Sequence, residues 1–176
     1  MLLDNGTNRL LVVKGAPEDI LRLSVSYELN QDTGLRSLDD AARASINAQF
    51  EALSKEGFRV LGIASRQVGT DQAHAVVGDE AELVFAGFAA FLDPPKESAK
   101  AALAGLAADR VAVKIITGDN ELVTQHIFAQ LGLPVTGVLT GAEIQQMDDL
   151  ALAARVEQVN LFCRVAPAQK NRIILV

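Results

Sequence analysis

Thr117, Gly118 and Asp119 form the segment of this sequence whose side chains best suit the binding of a phosphoryl group. They follow the apolar run 111–116, which predicts a buried strand. A threonine hydroxyl and nearby backbone N–H groups donate hydrogen bonds to phosphate oxygens, and glycine lets a ligand approach the backbone closely. An ordinary turn between strand and helix, with Asp119 or Asn120 capping the helix, explains the same residues, and both interpretations stay open.

Arg164 and Lys170 lie at the end of a second apolar strand and in the helix that Pro167 opens. A lysine in the first turn of a helix interacts slightly unfavourably with the helix dipole, so a functional role and a solvated surface lysine both stay open. A threonine at one strand end and a lysine near another can converge on one phosphoryl group. The two segments together predict a phosphate-handling site on a parallel sheet.

A phosphotransfer site of this kind also needs an aspartate nucleophile at a third strand end. Asp93 ends a long apolar strand, but Pro94 and Pro95 follow it and no second acid lies two residues on. We reject Asp93 as the nucleophile and interpret it as a hinge residue, because two prolines stiffen the chain here. This break predicts two domains, residues 1–88 and 89–176.

Lys14, Gly15 and Ala16 end a short strand before a helix, where small residues allow a flat ligand to lie against the backbone. Arg59 opens another strand. Taken alone, the first group favours a simple turn and Arg59 a surface arginine.

The remaining pattern predicts the elements that position these residues. Before the prolines we expect strands at 10–13, 58–64 and 83–92, helices at 17–24 and from 38 to Gly57, and polar connections at 25–37 and 67–81. After them we expect helices at 97–108, 121–131, 142–157 and from 167, and strands at 111–117, 135–140 and 159–163. Strands that alternate with helices predict a parallel sheet, with functional groups at the carboxyl ends of the strands.

The composition of the chain argues against several classes of function. The chain has 176 residues, 49% hydrophobic content and a formal charge of −6, which disfavours nucleic-acid binding. No run approaches the 18 apolar residues of a membrane-spanning helix. Cys163 lies in an apolar strand and is expected to be a buried hydrophobic residue. His74 and His126 are far apart in sequence, and we expect no metal site.

Both ends suggest an excised fragment. Residues 4–7 predict a hairpin turn with only three residues before it, and the last helix stops at Val176 without a capping residue.

Five ordered segments together resemble the P-type cation-transporting ATPases. They are Val13-Lys14-Gly15-Ala16-Pro17-Glu18, Gly57-Phe58-Arg59-Val60-Leu61, Phe91-Leu92-Asp93-Pro94-Pro95-Lys96, Ile116-Thr117-Gly118-Asp119-Asn120 and Phe162-Cys163-Arg164-Val165-Ala166-Pro167-Ala168-Gln169-Lys170. The stretch 91–123 is most similar to the bacterial magnesium-importing branch.

The resemblance implies an α/β fold in two parts. Residues 1–88 are similar to the C-terminal part of an α+β nucleotide-binding domain. Residues 89–176 are similar to part of a phosphorylation domain with a haloacid-dehalogenase-like Rossmann sheet. Asp93 and Pro94 match the hinge between them.

The resemblance also implies which residues bind the nucleotide. Lys14, Gly15 and Ala16 match the motif that lines the adenine pocket. Arg59 matches an arginine that reaches the nucleotide phosphates, and Arg164 one that helps to bind the nucleotide.

Four residues match the family's catalytic positions. Thr117, Gly118 and Asp119 match the loop that holds the transferring phosphoryl group, and Lys170 the lysine that stabilises it. The family's phosphorylated aspartate and its magnesium ligands lie in motifs that this segment lacks. We therefore expect ATP and Mg²⁺ as cofactors, with the magnesium ligands outside the segment, and no activity of the segment alone.

The implied context is the cytoplasmic part of a plasma (inner) membrane pump that transports Mg²⁺. The segment's expected partners are ATP and the other domains of its polypeptide, with no membrane contact of its own. Two alternatives stay open: a stand-alone nucleotide-binding or regulatory module, and a haloacid-dehalogenase-like phosphatase.

Overall fold

The computed structural model describes residues 1–4, 8–28 and 34–176. Three of the four residues of the predicted hairpin turn, 5–7, lie outside the described part of the chain. The described chain divides into two units. The first comprises Met1–Leu53 and Val60–Phe91, and the second comprises Ser54–Arg59 and Leu92–Val176.

The first unit is built on a six-stranded sheet. Its strands are β1 (Leu2–Asp4), β2 (Arg9–Gly15), β3 (Ser24–Glu28), β4 (Leu35–Ser37), β5 (Phe58–Val68) and β6 (Leu83–Leu92), in the spatial order β1-β2-β5-β6-β3-β4. The pairs β1–β2, β2–β5 and β3–β4 are antiparallel, and β3–β6 is parallel. The sheet is therefore mixed.

Two helices accompany this sheet, α1 (Pro17–Leu23) and α2 (Asp40–Lys55), together with a short 3₁₀ turn at Val77–Asp79. Pro17 occupies the first helical position of α1, where its missing N–H removes no hydrogen bond. Alternate residues of β2 and β5 point to the helices and form the core. The core cluster is Leu11, Val13, Ile20, Leu21, Leu38, Ile46, Ala64, Leu83 and Phe85.

The second unit is built on a parallel three-stranded sheet. Its strands are β7 (Ile115–Ile116), β8 (Val138–Thr140) and β9 (Leu161–Cys163), in the spatial order β7-β9-β8. Its helices are α3 (Glu97–Ala108), α4 (Glu121–Leu131), α5 (Gly141–Gln146), α6 (Asp149–Gln158) and α7 (Pro167–Leu175). The predicted alternation of helices and parallel strands is confirmed in this unit.

Apolar residues of β8, β9 and the surrounding helices fill the core of the second unit. The two clusters contain Leu139, Ile144, Leu152, Val159, Phe162, Val165 and Ile173, and Phe128, Leu161 and Cys163. All three residues of β9 are buried, as expected of the central strand of a parallel sheet. Helix α3, in contrast, has no buried residue.

Several predicted boundaries are wrong. The connection expected at 25–37 contains most of β3 and the whole of β4, because pairing with β6 stabilises a polar segment as a strand. The strand expected at 111–117 is reduced to Ile115–Ile116. The single helix expected at 142–157 is two helices, because Asp148 accepts a hydrogen bond from Ala151 N and starts α6 anew.

The candidate residues at strand ends follow strands of two different sheets. Asp93 follows β6, which belongs to the mixed sheet, whereas Thr117 and Arg164 follow strands of the parallel sheet. Among the residues that the structure describes, none of the helices combines the length and apolar character needed to cross a membrane.

Candidate functional site

The loops that follow β7 and β9 lie side by side at the carboxyl edge of the parallel sheet. Thr117 N donates to Phe162 O at 2.9 Å, Arg164 N to Asp119 O at 2.9 Å, and Val165 N to Thr117 O at 3.0 Å. These bonds continue the β7–β9 ladder beyond the strands and into both loops. The structure therefore brings together the two segments that the sequence singled out.

The Thr117 side chain shapes the first loop. Its hydroxyl donates to Asp119 Oδ2 and accepts from Asp119 N, both at 3.1 Å. Asn120, rather than Asp119, caps α4, because its Oδ1 accepts from Val123 N at 2.9 Å. This arrangement leaves the Asp119 carboxylate available for other partners.

Gly118 is exposed, and neither its conformation nor its packing requires glycine. Its φ is not in the left-handed region, and an added Cβ would meet only Val165 O at 3.9 Å. Space beside the backbone is what a close-approaching ligand needs. The interpretation of Gly118 as a ligand-facing residue stays a prediction.

Arg59 forms an ion cluster within the second unit, to which its segment belongs. Its guanidinium donates to Asp119 Oδ1 at 2.7 Å and to Asp93 Oδ2 at 3.4 Å. The predicted phosphate-binding arginine is thus held by two carboxylates. Asp93 opens the irregular connection 93–96 that includes Pro94, and the hinge role of both residues stays a prediction.

Arg164 combines an unusual backbone with an ion pair. Its φ of +53° lies in the left-handed region that favours glycine, and its Nε donates to Glu121 Oε2 at 2.9 Å. Partial burial alone raises the pKa of the Glu121 carboxyl, but the hydrogen bond from Arg164, a hydrogen bond from the Glu121 backbone N–H and the charge of Arg164 together hold that pKa below its usual value. The pair is therefore fully charged at neutral pH.

Lys170 lies in the first turn of α7, six residues after Arg164 along the chain. It is half-buried, and its ammonium forms no hydrogen bond or ion pair with any described residue. The N-cap of α7 is Ala166, which has no side-chain acceptor, and Gln169 Oε1 accepts from Ala166 N at 2.9 Å instead. The cation is available for an anionic ligand at this end of α7.

The first unit presents Lys14 on an exposed sheet face. Lys14 and Gly15 end β2 opposite Ile63 and Gly62 of β5, and Ala16 follows them. Opposed residues of neighbouring strands point to the same face, so Lys14 and Ile63 share one side of the sheet.

Leu61 lies two residues before Ile63 and so shares its face, where it is 36% exposed. Leu61 and Ile63 were not among the binding residues predicted from the sequence. The alternation in β5 could have indicated them, because Val60, Gly62 and Ala64 are buried on the opposite side of the strand.

Gly15 and Gly62, which are paired across β2 and β5, allow helix α1 to pack closely against the sheet. A Cβ on Gly62 would lie 2.9 Å from Ile20 Cβ, and one on Gly15 would lie 3.6 Å from Ile20 Cδ1. Gly62 is therefore a packing residue, and Gly15 lies beside the same side chain.

Cys163 is fully buried at the end of β9, as the sequence predicted. Burial raises the pKa of its thiol to about 11. Among the residues described, no group of three or more His, Cys, Asp or Glu side chains is placed to hold a metal ion. His126 instead hydrogen-bonds Lys55 O through Nδ1 at 2.9 Å.

The raised thiol pKa predicts that iodoacetamide will not label Cys163 in the folded chain at pH 8 but will label it in urea, because the thiolate is the nucleophile. The thiol pKa is higher in the folded chain than the ordinary 9.0. The contribution of this thiol to the free energy of unfolding is therefore fully present below pH 9 and is lost as the pH rises towards 11. Urea unfolding at several pH values across this range measures this contribution, with Cys163→Ala as the control. Fast labelling of the folded chain would contradict the prediction.

Comparison with known proteins identifies one family. Residues 2–98 match the family model described as "P-type ATPase, cytoplasmic domain N". The chain is 39% identical over 169 residues to "Magnesium-transporting ATPase, P-type 1" of Salmonella typhimurium, an alignment covering 95% of this chain and 18% of that protein.

Two further relatives show how broad the similarity is. The protein of the same description from Escherichia coli K12 is 34% identical over 171 residues, covering 97% of this chain and 19% of the relative. "Calcium-transporting ATPase 1" of Saccharomyces cerevisiae is 33% identical over 166 residues, covering 92% of this chain and 18% of the relative. The chain thus spans less than a fifth of the length of each relative.

Proposed function

The chain belongs to the P-type ATPase family, and from this membership we propose that it is the ATP-binding and phosphoryl-handling part of a cation pump. The transported ion that fits best is Mg²⁺, because magnesium transporters are among the relatives with the highest identity. The segment would act on the cytoplasmic side of the membrane, together with the other domains of a longer polypeptide. We propose that alone it completes no catalytic cycle.

The observation that carries this proposal is the backbone ladder between the loops after β7 and β9. It sets Thr117 beside Val165, and α7 with Lys170 begins directly after this second loop. Phosphoryl transfer depends on positioning and on stabilisation of charge, and these residues supply a hydroxyl, an exposed glycine and a cation.

We propose that Thr117, Gly118 and Asp119 hold the transferring phosphoryl group and that Lys170 neutralises its charge. Asp119 would also hold Arg59 until nucleotide phosphates replace the carboxylate. The parallel sheet that carries these residues is compatible with the haloacid-dehalogenase-like Rossmann fold that the resemblance implies.

Nucleotide binding is proposed for the exposed face of β2 and β5. Lys14 would contact the nucleotide, and Leu61 and Ile63 offer an apolar surface for its flat base. Ala16 would add only a methyl group after the end of β2, and Gly15 would support the site from the opposite face, where it lies beside Ile20 of α1. Mg²⁺ does not fit the described residues as a resident cofactor, since they contain no cluster of three suitable ligands.

Titration of the chain with ATP tests the nucleotide site. We expect Lys14→Ala to weaken ATP binding about tenfold, because a charge-assisted hydrogen bond is lost. Lys100→Ala, which removes an exposed lysine of α3, serves as the matched control and should bind ATP like the unaltered chain. Calorimetry measures both.

Equal affinities of the Lys14→Ala and Lys100→Ala variants would contradict the proposed nucleotide face. Turnover of p-nitrophenyl phosphate by the isolated chain would favour a stand-alone phosphatase instead. Its absence is the expected result.

A further inference from the structure

Arg164 occupies a backbone conformation that glycine would adopt without strain. Its φ of +53° is one of three positive values among the described non-glycine residues. The hydrogen bonds from Arg164 N to Asp119 O and from Val165 N to Thr117 O hold the chain in this shape. A side chain kept at a strained position beside a candidate site indicates a use for that side chain.

The ion pair that Arg164 forms does not explain the strain as a gain in stability. The Arg164 and Glu121 side chains are 42% and 36% exposed, and pairs this exposed contribute little to folding. The pair does orient the Arg164 side chain, because a hydrogen bond from Nε sets the plane of the guanidinium and the direction in which its two terminal NH₂ groups point. Glu121 is the first residue of α4 and is itself favoured there by the helix dipole.

We propose that Glu121 is a positioning residue, which holds the Arg164 guanidinium beside the Thr117 loop in the orientation that receives phosphate oxygens of a bound nucleotide. This inference rests on the proposed function and adds a residue to it. An arginine side chain loses considerable conformational freedom when it binds a ligand. A carboxylate that already orders it removes part of that loss before the phosphate arrives.

Two substitutions of Glu121 distinguish its positioning of Arg164 from its negative charge. Glu121→Gln keeps an oxygen of the same reach but loses the charge. Glu121→Asp keeps the charge and the preference for a helix start but is one methylene too short. If position matters, the Gln variant binds phosphate like the unaltered chain and the Asp variant does not.

The chain offers a closely matched control. Asp149 is the first residue of α6 and accepts from Arg172 Nε at 2.7 Å, which is the same arrangement in the same unit. Arg172 also donates to Ile144 O and Met147 O, so its pair serves the packing of α5 to α7. Asp149→Ala should leave phosphate binding unchanged.

The experiment titrates ATP and pyrophosphate into the nitrogen-labelled chain and follows the Gly118 amide and the Arg164 Nε–H resonances by NMR. We expect Glu121→Ala and Glu121→Asp to weaken binding about fivefold, and Glu121→Gln to change it less than about twofold. The Arg164 Nε–H signal should persist in the Gln variant and broaden in the other two. In the Arg164→Gly background, a further Glu121→Ala change should have no added effect.

Two results would overturn the positioning role. If Glu121→Ala binds like the unaltered chain while Arg164→Gly binds more weakly, Glu121 does not act through Arg164, although the proposed function stands. If Glu121→Gln weakens binding while Glu121→Asp binds like the unaltered chain, charge rather than position is what Glu121 supplies. Failure of the unaltered chain to bind either probe would overturn this role and the proposed function together.

Discussion

Gly141→Ala is expected to destabilise the second unit by about 3 kcal/mol or more, at the upper end of the range for overpacked sites. A Cβ at this position would lie 2.2 Å from Arg164 O and 2.8 Å from Gln169 Oε1. The first of these atoms is backbone, so no side-chain rotation relieves the clash. The φ of Gly141 is outside the left-handed region, so the contact with the loop after β9 is the sole reason for glycine.

Urea unfolding followed by far-ultraviolet circular dichroism measures this effect. The matched control is Gly105→Ala in α3, where an added Cβ meets nothing within 4 Å. That change should raise the unfolding free energy by about 0.5–1 kcal/mol, because alanine favours the helix. An unchanged midpoint for Gly141→Ala would mean that the loop after β9 yields easily. The site would then be softer than the structure indicates.

The second unit was the more predictable part of the fold. Helices α3 and α4 have the predicted bounds, because Glu97 follows a proline break and Gly132 ends α4 in the left-handed conformation. The adjacency of the Thr117 and Arg164 loops also followed from the sequence. Residues after neighbouring parallel strands must meet at one edge of the sheet, whatever their side chains.

The unpredicted features all depend on tertiary contacts. Strands β3 and β4 carry little apolar signal and exist through pairing, with Tyr27 opposite Phe85 in one register and Arg36 in the other. Glu121 and Arg164 are 43 positions apart, so the local sequence pattern does not predict that they pair. The left-handed φ of Arg164 is likewise imposed by the neighbouring loop rather than by its own residue type.

On the proposed function, Lys170→Ala should lower phosphorylation of the pump's aspartate about a hundredfold, which is the lower end of the loss for removing one group that stabilises transition-state charge. On the proposed function, Lys170 acts on the phosphoryl group and makes no contact with the base. ATP affinity should therefore change much less than the rate of phosphorylation. Lys170→Arg should restore part of the rate, because it keeps the charge but changes its shape.

The measurement uses a chimera in which this chain replaces the aligned segment of the Salmonella magnesium-transporting relative. Phosphorylation by radiolabelled ATP is compared for the chimera with Lys170 and for its Lys170→Ala form, and Lys100→Ala is the control. A reduced signal that excess ATP restores would place Lys170 in nucleotide binding. An undiminished signal would remove it from the phosphoryl site. Loss of phosphorylation at saturating ATP, with Lys100→Ala unaffected, is the result that the half-buried cation at the start of α7 predicts.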